Sequence, residues 1–426
     1  MITMAIDNKD KKVLKSSIER EQNEVACSAE CEKIKGSKNL NVPHLRFPEF
    51  SEEWEICKVS ELLDFYSTNS LSWEQLEYGT KAIMNLHYGL IHVGLPTMVD
   101  LTRDNLPNIK EDNMPKNFEL CKEGDVAFAD ASEDTNEVAK PIEFFDLAGK
   151  NIVCGLHTIH GRDNKNKTVI GFKGYAFSSS AFHNQIRRIA QGTKIYSIST
   201  KNFSECFIGI PSKVEQTKIA TLLRLIDERI ATQNKIIEDL KKLKSAISER
   251  LFKSVKGSTV LLSDLCDIVK GKQINGENLS DSGNYYVMNG GTEPSGYYDN
   301  YNVEASTISI SEGGNSCGYV QFNTSPFWSG GHCYSIQNIA DKVDNMYLYH
   351  YLKSNEDAIM KLRIGSGLPN IQKKDLAMFK IIVPKIEWQI KISTFLSSLE
   401  RKAEIEERIQ NVMQKQKLYL LQQMFI

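Results

Sequence analysis

Ile210-Pro211-Ser212-Lys213-Val214-Glu215-Gln216-Thr217-Lys218-Ile219 recurs, with substitutions, as Val383-Pro384-Lys385-Ile386-Glu387-Trp388-Gln389-Ile390-Lys391-Ile392. The offset is 173 residues (383 less 210), and the likeness continues in both directions without a gap. Upstream, Gly192, Ile198 and Lys201 fall on Gly365, Ile371 and Lys374; downstream, Thr221, Leu223, Ile236, Lys242 and Phe252 fall on Thr394, Leu396, Ile409, Lys415 and Phe425. A second correspondence marks where each unit starts: Val59-Ser60-Glu61-Leu62 resembles Leu262-Ser263-Asp264-Leu265, an offset of 203 (262 less 59). The interior is therefore 30 residues longer in the first unit (203 less 173), and no match runs through it. A frame is repeated and its contents vary, the pattern of a tandem repeat whose inserts set specificity.

Each unit ends in a helical pattern. After Pro211, a favourable residue just before a helix start, apolar residues fall at Ile219, Leu223, Ile226, Ile230, Ile237, Leu240, Ile247 and Leu251. After Pro384 the counterpart is Ile392, Leu396, Leu399, Ala403, Ile409, Met413, Leu420 and Met424. Steps of four and three make the seam of a coiled coil. Both seams are interrupted by a polar residue at the same place, Gln233 and Glu406. Neither helix is expected to be stable alone in water, which favours pairing over two separate amphipathic helices.

The regions before the helices read as mixed and mostly β. Tyr285–Met288, Thr307–Ile310 and Tyr319–Phe322 are rich in β-branched and aromatic residues and separated by Gly-Gly turns, and Asp125–Ala129, Ile152–Cys154 and Thr168–Phe172 look similar. The fold expected is α+β: two mixed, mostly β domains in tandem, each followed by a long helix, the helices pairing as a coiled coil. Its parts are a disordered or loosely ordered extension (residues 1–42), a first domain (43–211) and helix (212–256), and a second domain (257–384) and helix (385–426).

At 426 residues with 41% hydrophobic and 25% charged residues, the composition is that of an ordinary multidomain globular chain. No apolar run is long enough to span a bilayer, and nine scattered cysteines without a CxxC pair fit reduced thiols in a cytoplasm. The net charge of −2 argues against a uniformly basic nucleic-acid binder. The charge is uneven, however. Asp100 to Asp146 is acidic, whereas Arg162, Lys165, Lys167, Lys173, Arg187, Arg188, Lys194 and Lys201 form a basic run, and Lys235 to Lys256 another.

Catalytic motifs are missing: no GxxxxGK[ST] loop, no GxGxxG after a strand and no Asn-Pro-Pro-Tyr-like tetrad. Cys154, His157 and His160 could suggest a metal cluster, but alternation along one strand would scatter them, so no metal site is expected. The acidic run with Asp130, Glu133 and Asp134 leaves open a metal-dependent nuclease, with a solvated loop the commoner explanation.

The order of these features resembles the specificity (S) subunit of type I restriction–modification systems. His44-Leu45-Arg46-Phe47-Pro48-Glu49-Phe50 with Glu53-Trp54 is similar to that family's opening. Gly313–Tyr319 with Pro326–Cys333 resembles one class of its recognition domains; Gly155–Ile159 with Gln185–Arg188 resembles another. The likeness runs from about Pro43 to Ile426. It implies two target recognition domains, each reading half of a bipartite double-stranded DNA site, and two helices paired as an antiparallel coiled coil, a spacer of roughly 60 Å if each helix has about 40 residues. It also implies two modification (methyltransferase) subunits and further ATP-dependent restriction subunits as partners. S-adenosylmethionine, ATP and magnesium would belong to them, leaving this chain non-catalytic and without a cofactor.

Candidate DNA-contacting residues are Arg187, Arg188, Lys194, Tyr196 and Lys201 in the first unit, and Lys270, Lys272, Asn289, Asn315, His332, Arg363 and Ser366 in the second. Arg and Asn suit base edges and Lys suits phosphates. Helix pairing is assigned to Ile219, Leu223, Ile226, Ile230, Ile237, Leu240, Ile392, Leu396, Leu399 and Met413. The other reading from the residues is an interaction scaffold, a coiled coil carrying two protein-binding heads.

Overall fold

Strand Glu55–Lys58 pairs antiparallel with Phe207–Ile210, Glu55 opposite Ile210 and Lys58 opposite Phe207. Strand Ser258–Leu261 pairs with Lys380–Val383 in the same sense, Ser258 opposite Val383 and Leu261 opposite Lys380. The corresponding residues differ by the two offsets read from the sequence, 203 from Glu55 to Ser258 and 173 from Ile210 to Val383. The repeated frame is thus a two-stranded clasp that joins the beginning and end of each recognition region just before its long helix. This computed structural model describes residues 41–79, 83–365, 367 and 369–426. The expected N-terminal extension lies, but for its last two residues, outside them.

The chain forms two compact units: the described residues up to Arg229 together with Met413–Ile426, and Ile230–Val412. In the first, a mixed five-stranded sheet runs in the order Asp64–Tyr66, Thr158–Arg162, Val126–Ala129, Pro141–Asp146, Met98–Asp100. A four-stranded sheet runs Ile152–Cys154, Met84–Leu86, Asn108–Ile109, Leu76–Glu77. Phe128, Phe177, Phe182 and Phe203 meet in edge-on and tilted pairs in the core, centroids 4.6 to 6.3 Å apart. In the second unit the main sheet runs Asp267–Lys270, Cys333–Gln337, Thr307–Ser311, Val320–Asn323, all antiparallel. Helix Asn345–Ser354, with Tyr347 N donating to the Asp344 carboxylate at its start, lies against Val320–Asn323.

One expected strand is absent. Thr168–Phe172 is a turn leading into helix Lys173–Phe177. Its N–H groups are diverted to side chains, Val169 N to Gln216 and Gly171 N to Glu143, and Gly171 has φ +92°. Bonds that would form a ladder hold the turn instead.

The helices are Lys213–Ser254 and Ile386–Gln423. Gln216 explains one repeated letter of the frame. Fully buried, it donates to the Pro211 and Lys167 carbonyls and accepts from Val169 N. Its counterpart Gln389, equally buried, donates to the Pro384 and Lys342 carbonyls and accepts from Asp344 N. Each glutamine fastens a loop of its own recognition region to the start of the helix, and satisfies all its bonding capacity but one lone pair.

Within the first unit the start of the first helix (Ile219, Leu223, Ile226) shares a core with the end of the second (Leu420, Leu421, Met424, Phe425). Within the second unit the start of the second helix (Ile392, Leu396, Leu399) packs with the end of the first (Ile247, Leu251, Phe252). The helices run antiparallel. Ile237 and Met413 are buried, and Ile230 and Leu240 half-buried. Ile409 departs from the expected seam: it is 39% exposed, as its equivalent Ile236 is at 40%. A seam that passes through Gln233 and Ile237 passes through Glu406 and Gln410, the residue after Ile409, and Gln410 bonds Asn234.

The two polar breaks meet. Gln233 Nε2 donates to Glu406 Oε2 at 2.5 Å and to the Glu406 carbonyl at 3.1 Å, both residues being buried. Lys402 lies on the same carboxylate, and these bonds hold Glu406 below the ordinary carboxylate range. Lys241–Glu407 and Lys244–Glu400 flank the pair. A polar pair in an apolar seam favours one register, since sliding either helix leaves Gln233 unpaired and Glu406 with only Lys402 of its own helix. Gln233→Leu should lower the thermal unfolding midpoint by leaving the Glu406 carboxylate against an apolar side chain across the seam, and Gln233→Leu/Glu406→Leu should recover it. A single mutant melting at or above wild type would refute the coupling.

Candidate nucleic-acid interface

In the first unit the candidates converge on a rim around Ala131–Ser132. Tyr196–Ser197 pairs with that strand, and Gln191 and Ser197 exchange backbone hydrogen bonds of 2.9 and 2.8 Å to close a hairpin. Lys194 is exposed at its tip beside Ile195. The tip needs glycine: Gly192 has φ +136°, and a Cβ there would stand 1.9 Å from the Ile195 carbonyl. Arg187 and Arg188 are exposed in the last turn of helix Ser180–Ile189, where cations are favoured. Arg187 donates to Asn184 at 3.0 Å and to Asn136, on the neighbouring loop, at 2.6 Å. Lys201 is exposed on helix Thr200–Ser204, which anchors itself through buried Phe203.

Several rim residues were not found by sequence reasoning. His157 Nδ1 lies 3.1 Å from Asp130, whose carboxyl burial pushes up, and Tyr88 packs edge-on against the His157 ring at 5.2 Å. His92 Nε2 lies 2.9 Å from the Ala131 carbonyl, and half-exposed Trp73 stacks near His87 at 4.5 Å. The one available signal was the glycine of Gly155-Leu156-His157. The segment is not a single strand, as expected, but two strands, Ile152–Cys154 and Thr158–Arg162, split by a turn with His157 at φ +54°.

Three residues of the first unit's basic run are taken up by ion pairs. Arg162 binds Asp125 and Glu119, Lys173 pairs with buried Glu143, and Lys167 pairs with Glu55. The acidic stretch supplies three of those partners, and its Asn136 holds Arg187. The acidic residues proposed for a nuclease do not gather: Asp130 faces His157, whereas Asp134 caps its own turn through Asn136.

In the second unit, turns far apart in sequence meet at one end of the main sheet. Lys270 Nζ lies 2.7 Å from Glu312, Glu312 N donates to the His332 carbonyl, and Ile371 N donates to the Glu312 carbonyl. Gly314 N donates to Pro369 O, and Ile364 pairs with Asn370 just after exposed Arg363. Lys272 N bonds the Ser329 carbonyl, while its own carbonyl accepts from Trp328 Nε1. Asn315 and His332 are exposed on this end. Asn289 is half-buried and accepts from His332 N through Oδ1. That bond makes it first a brace of the turn, and a Cβ on Gly330 would fall 2.5 Å from the same oxygen. Ser366 lies outside the described residues. Tyr285 and Tyr301, 4.9 Å apart, add aromatic surface that sequence reasoning left out.

Each unit is therefore a sheet-rich head, closed by a clasp and fastened by a buried glutamine to a long helix, with exposed Arg, Lys, Asn and His on turns. Residues 256–415 match the type I restriction modification DNA specificity domain. A protein assigned as the MjaX type I restriction enzyme specificity subunit of Methanocaldococcus jannaschii is 23% identical over 417 residues, covering 89% of this chain and 94% of its own length. The Mycoplasma genitalium type I specificity subunit S.MgeORF438P is 34% identical over 122 residues, 28% of this chain and 31% of that protein. Among solved structures, the S subunit of an M. genitalium type I restriction–modification system superposes with a TM-score of 0.58 at 19% identity, over 90% of this chain and 99% of that one. A chain from a study of complex assembly and conformational transition in the type I system gives 0.56 at 15% identity, over 89% and 98%.

The likeness implied by the motif order holds: residues 256–415 match the type I specificity domain, and the relatives that this chain resembles are type I specificity subunits. Among the described residues, no helix is long and apolar enough to cross a membrane.

Proposed function

We propose that residues 43–211 and 257–384 each read one half of a bipartite DNA site, and that the two long helices (212–256 and 385–426) form the spacer between the readings. The observation that carries this is the clasp-and-glutamine frame, kept in strand register and in the bonds of Gln216 and Gln389 while the heads it holds differ. Arg187, Arg188, Lys194 and Tyr196 serve the first half-site; Lys270, Lys272, Asn315, His332 and Arg363 serve the second. Ser366 belongs with the second group, Lys201 contributes a phosphate contact to the first, and Asn289 acts by holding His332.

The chain directs two methyltransferase subunits to that site, and restriction subunits join them. A surface suited to such a partner lies on the second helix, where Ile405, Ile409 and Val412 are 41%, 39% and 64% exposed at spacings of four and three. An apolar stripe of that period fits an amphipathic helix of the methyltransferase.

The test is exchange of 59–191 for the same stretch of a relative, in a complex co-expressed with its methyltransferase, reading the methylated motif. One half of the motif should change and the other stay. A change in both halves, or failure to co-purify with any methyltransferase, would overturn the reading. Within the first half-site, Arg187→Ala should weaken binding by about 1–3 kcal/mol and relax one base position, whereas Lys194→Ala should weaken all sequences alike.

A further inference from the structure

Behind the first unit's rim, Cys121, Cys154 and His160 come together in the core at 5%, 1% and 0% exposure. The two sulfurs are 3.6 Å apart, and a ring nitrogen of His160 lies with both inside 4.8 Å. Cys121 is brought in by the loop before strand Val126–Ala129, its N–H bonded to the Ile152 carbonyl beside Cys154. His160 Nε2 is held by Asp125 at 2.8 Å, and Nδ1, equally buried, has no hydrogen-bond partner. An orphaned ring nitrogen in an apolar core is costly, unless something there takes its lone pair.

We propose that Cys121, Cys154 and His160 bind one thiophilic divalent cation, zinc, that fastens the loop at Cys121 to the two strands behind the rim. Two thiolates at about 2.3 Å from one tetrahedral zinc stand about 3.8 Å apart, close to the separation here, whereas a disulfide requires about 2.05 Å. Charge fits as well. Zinc with two thiolates and a neutral imidazole is a neutral group, so the core needs no further counter-ion; binding releases the two thiol protons to solvent. Asp125 on the far nitrogen of His160 is the carboxylate that orients a metal-bound imidazole. The fourth position is left to water. Alternation along one strand would have separated Cys154, His157 and His160, and His157 is indeed elsewhere, paired with Asp130. The third ligand comes instead from Cys121, which no local spacing announces.

The full-length chain, purified without a polyhistidine tag, should carry about one zinc by elemental analysis. Cells grown on cobalt should yield protein with thiolate-to-cobalt charge-transfer absorption. Cys121→Ser and Cys154→Ser should each abolish that absorption, while Cys206→Ser, altering a buried cysteine outside the cluster, should leave it intact. Should the cluster variants fail to fold, the wild-type chain still decides: chelation should expose two protected thiols and lower its melting temperature. Metal-free protein that takes up no cobalt, a Cys121–Cys154 disulfide, or loss of metal in Cys206→Ser as well would each overturn the proposal.

Discussion

Asp125→Ala is expected to destabilise the first unit by about 3–5 kcal/mol, the range for removing one partner of a buried ion pair. Asp125 is 1% exposed. Its two oxygens take Arg162 Nε and NH2, each at 2.8 Å, along with His160 Nε2 and Lys122 N. Burial would push its carboxyl up, but the His160 and Arg162 bonds outweigh this and hold it below its ordinary value. Without it, the Arg162 guanidinium stays among buried atoms with Glu119, itself 36% exposed, as its remaining carboxylate. Glu119→Ala should cost much less, because the buried carboxylate that takes two guanidinium bonds, Asp125, is retained. The measurement is a denaturant midpoint for each variant, with amide exchange in Val126–Ala129 and Thr158–Arg162 locating the loss. An Asp125→Ala protein within about 1 kcal/mol of wild type would mean that the guanidinium finds water, and that the cluster is less closed than described.

The same cluster shows where reading from sequence stops. Repetition and helical period are properties of neighbouring residues, so the 203 and 173 offsets marked the two ends that the clasp joins, and the seam gave the pairing of the helices. Even the meeting of Gln233 with Glu406 was foreshadowed, since both break their seams at one frame position. The misplacement of Ile409 was a one-residue slip, made because an isoleucine fits a seam better than the glutamine beside it. Charge was far harder. Arg162, Lys167 and Lys173 look in sequence like Arg187 and Lys194, and only long-range pairing with Asp125, Glu55 and Glu143 takes them out of play. The rim residues Tyr88, His92 and Asn136 sit on segments without a pattern of their own, drawn together by sheet order. The second head was more legible because its candidates lie on glycine turns, which announce themselves locally. Asn289 shows the limit even there, because a turn asparagine braces its own backbone as readily as it reaches outward.

The second unit should weaken as the pH falls from 6.5, through a histidine that touches no candidate DNA residue. His350 lies on helix Asn345–Ser354, 2% exposed, its Nε2 2.9 Å from Ser397 Oγ on the second long helix. Burial pushes its pKa down to about 4, Glu400 and Asp344 opposing and Lys244 assisting. Unfolded, the ring titrates near 6.5. Between those two values the unfolded chain binds a proton that the folded chain refuses, so stability is complete above about 6.5 and declines towards 4. At about 1.4 kcal/mol per pH unit the whole span is worth about 3 kcal/mol, of which about 2 falls between pH 6.5 and 5, above the range where most carboxylates titrate. The check is the denaturant midpoint of the second unit across pH 7 to 5, compared with His350→Gln. The glutamine keeps a polar group facing Ser397 and cannot be protonated, so its slope should be nearly flat. Equal slopes in the two proteins would show that His350 takes up its proton in the folded state, and that the helix opens enough to hydrate it.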